Sequence, residues 1–395
     1  MKNFVFISPN FPETYWRFCR ELKNNGFNVL GIGDCEYFNL TENLRNSLTE
    51  YYKVSSLENY DEVYRAVAFF TFRYGKIDWL ESNNEYWLER DAMLRTEFNI
   101  STGFKAADMP KVKYKSKMKR HYKKAGVKVA KYCIATDEKK CKKFIKEVGY
   151  PVIVKPDNGV GANDTHKISS DEELTAFFKN KLPVSYIMEE YIAAEVNSYD
   201  AIVNSKGEPI FETGNVTPGS LMDVVNTGDS SVFYILNQPF DDVRDAGRRT
   251  LKAFGVKSRF VHFEFFRLTC DQRIGKKGEV IALEVNMRPS GGISPDMMNY
   301  ANSTDVYKIW ADMIAYDSTL VSTGEKYYCA FCGRRDGKNY KYMEQDIKDK
   351  FGYKLKAVGR VSKALSGAMG DTMFLATFKT KEEMDEYYRE LLALN

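Results

Sequence analysis

Apolar positions change their spacing along the chain. Up to about residue 110, short apolar runs alternate with stretches of helical period. FVFIS reads as a strand, Trp16, Cys19 and Leu22 share one face of the following helix, and Gly26 is placed to end it before the strand FNVLGIG. The strand YYKV, a long helix after Tyr60 and the strand IDWLESN continue the alternation, which predicts a parallel sheet covered by helices. Beyond Pro110 the pattern differs. KVAKYCIA, YPVIVKP, YIMEEYI, FVHFEFFRL and EVIALEVNM read as strands, and SYDAIVNSKGEPIFET as a hairpin turning at Lys206-Gly207. That is antiparallel sheet, so a domain boundary is expected near Pro110. The last seventy residues, with GDTMFLATF and a terminal helix, read as a small α+β appendage.

Composition narrows the class without naming a function. The chain has 395 residues, enough for two or three packed lobes, and 44% apolar with 28% charged residues is a globular balance. Lys plus Arg is 58 against 54 for Asp plus Glu, a net +4 that gives no reason to expect a nucleic-acid partner. No window approaches the eighteen or so apolar residues of a membrane span, and the MKNFVFISPNF start is too short for a secretory signal. Seven irregularly spaced cysteines fit reduced thiols, so a cytoplasmic protein is expected. Cys329 and Cys332 form the one Cys-x-x-Cys; lacking a second ligand pair nearby, YYCAFC reads as a buried strand and not a zinc site.

Some positions do not fit a purely structural reading. Strand alternation puts Glu284 and Asn286 of LEVNMR on one face, with Arg288 continuing the row, and Glu264 lies in the apolar VHFEFF of the neighbouring strand. Carboxylates in such surroundings need a compensating cation. Glu264, Glu284 and Asn286 are a donor set for magnesium; a buried Glu–Arg pair beside an exposed glutamate is the bland alternative. PSGG after Arg288 would let backbone N–H groups approach an anion. Lys155 ends the strand PVIVKP and is followed by the glycine-containing loop NGVGAND, which is not a Walker A loop. Asn83, Asn84 and Glu85 follow IDWLES, either as ligand contacts or as caps of a helix beginning near Trp87. The basic stretch KVKYKSKMKRHYKK reads as a solvated helix face with Met118 and Tyr122 turned inward.

Taken in order, these pieces resemble the ATP-grasp superfamily over about residues 1–310. YKSKM followed by AGVKVA resembles the segment of the first phosphate lysine, Lys115; PVIVKP would carry the second, Lys155, and NGVGA, with Gly159 and Gly161, the phosphate-covering loop. MEEYI resembles the adenine hinge, formed by Glu189, Glu190, Tyr191 and Ile192 with the backbone of Glu190 and Ile192 bonding the base. AEVNSYD would supply Glu195 for ribose. HFEFF and LEVNMRPSGG match the metal ligands Glu264, Glu284 and Asn286, with Arg288 beside the reacting phosphate. The sequence departs from the family at Tyr114, usually Asp or Asn, and at Lys128, usually Pro, which leaves Lys113 and Lys117 as alternatives to Lys115.

The resemblance implies an α/β and α+β architecture: a parallel-sheet domain over residues 1–110, ATP-grasp small and large lobes at 111–190 and 191–325, and the appendage at 326–395. It implies an ATP-dependent carboxylate–amine ligase working through an acyl phosphate, with ATP and two Mg2+ ions (Mn2+ as a substitute). Partners would be a small carboxylate and an amine, with no nucleic acid and no membrane, and a homodimer as the common assembly. Substrate contacts are expected from Asn10, Asn83, Glu85, Arg288, Ser290, Gly291, Gly292 and the loop after Thr213; lids are expected at 158–164 and at 214–231. The competing readings are a bicarbonate-phosphorylating enzyme of the carbamoyl-phosphate synthase or biotin carboxylase type, and a non-catalytic ATP-binding regulator.

Overall fold

The computed structural model describes residues 1–159, 164–218 and 229–395. The N-terminal alternation folds as expected. Four parallel strands lie in the order Glu50–Lys53, Asn28–Gly33, Asn3–Ile7, Trp79–Glu81. The helix Trp16–Asn24 buries Phe18, Cys19 and Leu22, and Gly26, at φ +82°, turns the chain into the next strand. Phe4 and Phe18 pack edge-on against Trp310 of the helix Val306–Tyr316, so this sheet shares one apolar core with the large sheet behind it.

A second, antiparallel sheet runs Tyr132–Ile134, Tyr186–Glu190, Val152–Pro156, His166–Ile168 and is covered by Glu138–Val148 and Asp171–Asn180. The expected single strand KVAKYCIA is two short ones: Lys128–Val129 joins the large sheet and Tyr132–Ile134 the small one.

The ten-stranded large sheet does not stop where the appendage was expected to begin. Its path is Leu355–Arg360, Thr372–Phe378, Tyr328–Arg334, Ser231–Ile235, Asn215–Thr217, Ala194–Val203, Arg259–Leu268, Val280–Asn286, Lys128–Val129, with Pro209–Thr213 pairing off Ala194–Val203. The C-terminal strands therefore continue the sheet that carries the acidic residues. Cys329 and Cys332 are buried in Tyr328–Arg334, and at i, i+3 on a strand their side chains leave opposite faces. No described helix is long and apolar enough to cross a membrane.

The basic stretch corrects its sequence reading. It forms two helices, Met109–Lys113 and Lys115–Lys124, broken at Tyr114. Met118 and Tyr122 are buried as expected, but so are Lys113, Lys115 and Lys119. Only part of that surface is solvated; the rest faces a cavity.

Candidate active site

The three central strands of the large sheet set the site's floor. In the register of Arg259–Leu268 with Val280–Asn286, Glu264 stands directly opposite Glu284 and His262 opposite Asn286. The next strand puts Ser198 opposite Glu264 and Asp200 opposite His262. Two carboxylates facing each other across a ladder destabilise one another. Burial pushes the Glu284 carboxyl up, and Lys115, 3.0 Å from Oε1, opposes that only in part. Burial also acts on Glu264, but His262 and Arg288 outweigh it and hold that carboxyl low. His262 Nδ1 lies 2.8 Å from Asp200 Oδ1 and Nε2 3.3 Å from Glu264 Oε1. Burial alone would depress the imidazole; Asp200 and Glu264 raise it to about 9. Asp200 and Glu264 thus favour the protonated form of His262, which lines the cavity beside Glu264.

Among the described residues no three His, Cys, Asp or Glu gather as a complete metal cage. The donor set of two opposed carboxylates and the Asn286 amide fits magnesium, which takes one or two protein carboxylates and completes its shell with water and phosphate oxygens.

Above the floor stand three lysines. The helix Lys115–Lys124 is fastened to the end of Val152–Pro156: Lys115 N donates to Asp157 O at 2.9 Å, and Ser116 N and Oγ donate to the Asp157 carboxylate at 2.7 and 2.6 Å. Spacing of i, i+4 turns Lys115 and Lys119 to the same side. Lys115 Nζ also donates to Gly159 O at 3.2 Å. Lys119 bonds Glu189, and Lys155 Nζ lies 2.7 Å from Glu189 Oε2. Burial raises the Glu189 carboxyl, but the two ammonium groups win and bring it down to about 2. Of the alternatives, Lys117 is exposed, and Lys113 lies 3.8 Å from Glu85.

One cavity of about 440 Å³ joins these groups. At one end it is lined by Ala130, Ile153, Val196, Phe266 and Leu283, with Glu189, Glu190, Tyr191 and Ile192 along the edge. Glu190 N donates to Lys131 O at 3.1 Å, so this N–H is occupied. Glu195 corrects its sequence reading. Ala194 and Val196 line the cavity, so alternation turns Glu195 to the opposite face, where its register partner Arg267 bonds Asp242 of the helix Asp241–Phe254. Among the described residues, Glu195 does not line the cavity. Gly161 and parts of both expected lids, 160–163 and 219–228, lie outside the described residues.

At the other end stand Glu85, Arg288, Ser290, Gly291 and Gly292. Arg288 bonds Glu85 and the carbonyl of Pro289. Asn83 is buried in the left-handed region at φ +53°, and its Nδ2 has no hydrogen-bond partner; it does not line the cavity. The capping expected of Asn83–Glu85 is not what forms: the helix Leu88–Glu97 starts at Trp87 without a side-chain cap, and Asn84 instead accepts from Tyr86 N at 3.0 Å. Asp91 fixes this loop by accepting from Ser82 N at 2.9 Å and Ser82 Oγ at 2.6 Å. The acidic strand is fixed to the N-terminal sheet as well. Arg259 bonds Glu81 and donates to Met287 O at 2.7 Å, and Arg95 approaches Glu81 at 3.2 Å.

Sequence reasoning did not find Lys119, His262 or Asp200. For His262 a signal existed: it is one of three histidines and stands two residues before Glu264, on the same strand face.

Comparison with known proteins agrees with this geometry. Residues 114–194 match the family described as carbamoyl-phosphate synthase L chain, ATP binding domain. L-amino acid ligase from Bacillus licheniformis superposes with a TM-score of 0.71 at 14% identity, covering 99% of this chain and 97% of that one. N5-carboxyaminoimidazole synthetase from Staphylococcus aureus, complexed with ADP, gives 0.70 at 14% identity over 98% and 96%. The biotin carboxylase domain of Hydrogenobacter thermophilus 2-oxoglutarate carboxylase, in complex with MgADP, ADP and bicarbonate, gives 0.71 at 15% identity over 98% and 88%. The chain is thus similar over residues 114–194 to an ATP-binding domain family and shares its overall fold with these solved structures.

Proposed function

We propose that the protein is an ATP-dependent carboxylate–amine ligase that forms an amide through an acyl phosphate. One observation carries the reading: the opposed Glu264–Glu284 pair, Asn286, Arg288 and three lysines face a single cavity. Bound magnesium would neutralise phosphate charge and so lower repulsion toward an incoming carboxylate. Glu264, Glu284 and Asn286 would hold it. Lys115 and Lys155 stabilise charge on the phosphates, and Arg288 stabilises the transferred phosphoryl. The substrate carboxylate attacks the γ-phosphorus as the bond to ADP breaks. The amine nitrogen then attacks the acyl carbon, sheds a proton and expels phosphate. Adenine would occupy the end lined by Ile153, Ala130 and Leu283, against the hinge Glu189–Ile192.

Support for an amine acceptor comes from the full-length likeness to an L-amino acid ligase. The test is to incubate the protein with Mg-ATP and pooled amino acids and carboxylates, then measure ADP, AMP and phosphate, with Glu284→Ala as control. ADP and phosphate released only with certain pools is the expected result. AMP with pyrophosphate, or ADP release driven by bicarbonate alone, overturns the reading.

A further inference from the structure

The helix Lys363–Met369 has no fully buried residue, yet it carries an apolar stripe. Leu365, Ala368 and Met369 stand at i, i+3 and i+4, one face of a helix, and all three line the cavity. Phe233 of the strand Ser231–Ile235 lines it too, stacked on Phe331 with centroids 4.6 Å apart. Adenine has its own apolar surface at Ile153, Ala130 and Leu283, and the lysines and acidic residues serve phosphate chemistry. The C-terminal stripe is therefore surplus to ATP. It adjoins Ser290–Gly292: a Cβ on Gly292, which sits at φ +61°, would meet Met369 Sδ at 2.9 Å.

The helix is firmly seated. Arg335 bonds the carbonyls of Ser366 and Gly367, the latter at 2.6 Å. A Cβ on Gly333 would lie 1.7 Å from Met369 O, so the strand Tyr328–Arg334 and the helix end touch backbone to backbone. Among the described residues lining the cavity, Glu85 is already bonded to Arg288, Lys115 to Glu284, and Lys119 and Lys155 to Glu189. A charged group entering here would lose water without gaining a partner, whereas an apolar group would remove exposed hydrocarbon from water.

We propose that the Lys363–Met369 helix is the side-chain selector of this site: Leu365, Ala368 and Met369, with Phe233, receive the apolar side chain of the carboxylate substrate. The substrate class is then a short carboxylic acid, such as an amino acid, with an aliphatic, thioether or aromatic side chain. This rests on the ligase reading and goes beyond it by naming the substrate's side chain and the residues that measure it.

The experiment has two arms on the full chain. Phosphate release with Mg-ATP, and with glycine as the amine, is measured against L-alanine, L-leucine, L-methionine, L-phenylalanine, 4-methylpentanoate, L-glutamate and L-lysine, and binding of the same compounds is measured calorimetrically in the presence of Mg-ADP. Leucine, methionine or phenylalanine is expected to lead both arms. Met369→Ala and Leu365→Ala should raise the phenylalanine-to-alanine ratio of kcat/KM by about tenfold or more, as pocket volume discriminates apolar groups. Leu365→Asp should abolish the apolar preference while the ATP KM stays within about twofold. Apolar binding lost in Leu365→Asp, without phosphate release in any variant, supports the selector and overturns the ligase reading. Preference for glutamate or lysine, an unchanged profile in all three variants, or no binding and no stimulation by any apolar acid overturns the selector.

Discussion

Glu189 is buried between Lys119 and Lys155, and its replacement gives a quantity that can be worked from the structure. Its carboxyl is brought down from 4.5 to about 2. At about 1.4 kcal/mol per pKa unit, pairing with the lysines contributes roughly 3 kcal/mol to folding at neutral pH. A depressed carboxylate pKa gives stability that is present above the unfolded value of 4.5 and is lost as pH falls toward 2. Glu189→Gln keeps the shape and removes the charge. It should cost about 3 kcal/mol at pH 7, the same at pH 6, progressively less below pH 4.5 and almost nothing near pH 2. The assay is urea unfolding of wild type and variant across that range, read by tryptophan fluorescence and by far-ultraviolet circular dichroism. Mg-ATP should narrow the gap at pH 7, because phosphates would supply the negative charge the lysines lost. A difference below about 1 kcal/mol at pH 7, or one that stays constant down to pH 2, would refute the electrostatic account.

Three further outcomes are expected. Glu284→Ala should lower kcat by several orders of magnitude, on the order of the loss of transition-state charge stabilisation, while circular dichroism stays native. Lys115→Ala should reduce kcat/KM for ATP by about a hundredfold or more and Lys117→Ala by less than about twofold, because one is buried against Glu284 and the other is exposed; equal effects would remove Lys115 from the site. Arg259→Met should destabilise the chain by about 1–3 kcal/mol, since it leaves the buried Glu81 with Arg95 alone and frees the Met287 carbonyl; a melting temperature equal to wild type would contradict this.

Period-two alternation was enough to bring Glu284 and Asn286 to one strand face, and it holds because the irregularity in the pairing with Arg259–Leu268 falls at Leu283, before Glu284. The pairing of Glu264 with Glu284 was not legible, because register is fixed by partners far along the chain. Lys119 was hidden by its own neighbourhood: in a run of seven lysines and one arginine, nothing local tells a buried ammonium from a solvated one. Only docking against Glu189 does. Glu195 failed for the opposite reason, since a motif was legible but the face its strand presents was not. The Lys363–Met369 stripe was invisible because its three apolar residues are spaced like an ordinary core face.

The unbroken large sheet sets what can be cut away. A shortened protein ending at residue 325 would retain every acidic residue and lysine of the cavity. It would nevertheless lose Tyr328–Arg334, which pairs along the whole length of Ser231–Ile235. That strand would become a bare edge with open N–H and C=O groups and with Val232 and Tyr234 uncovered, a template for self-association. The C-terminal seventy residues are therefore both a cover for that edge and a wall of the cavity.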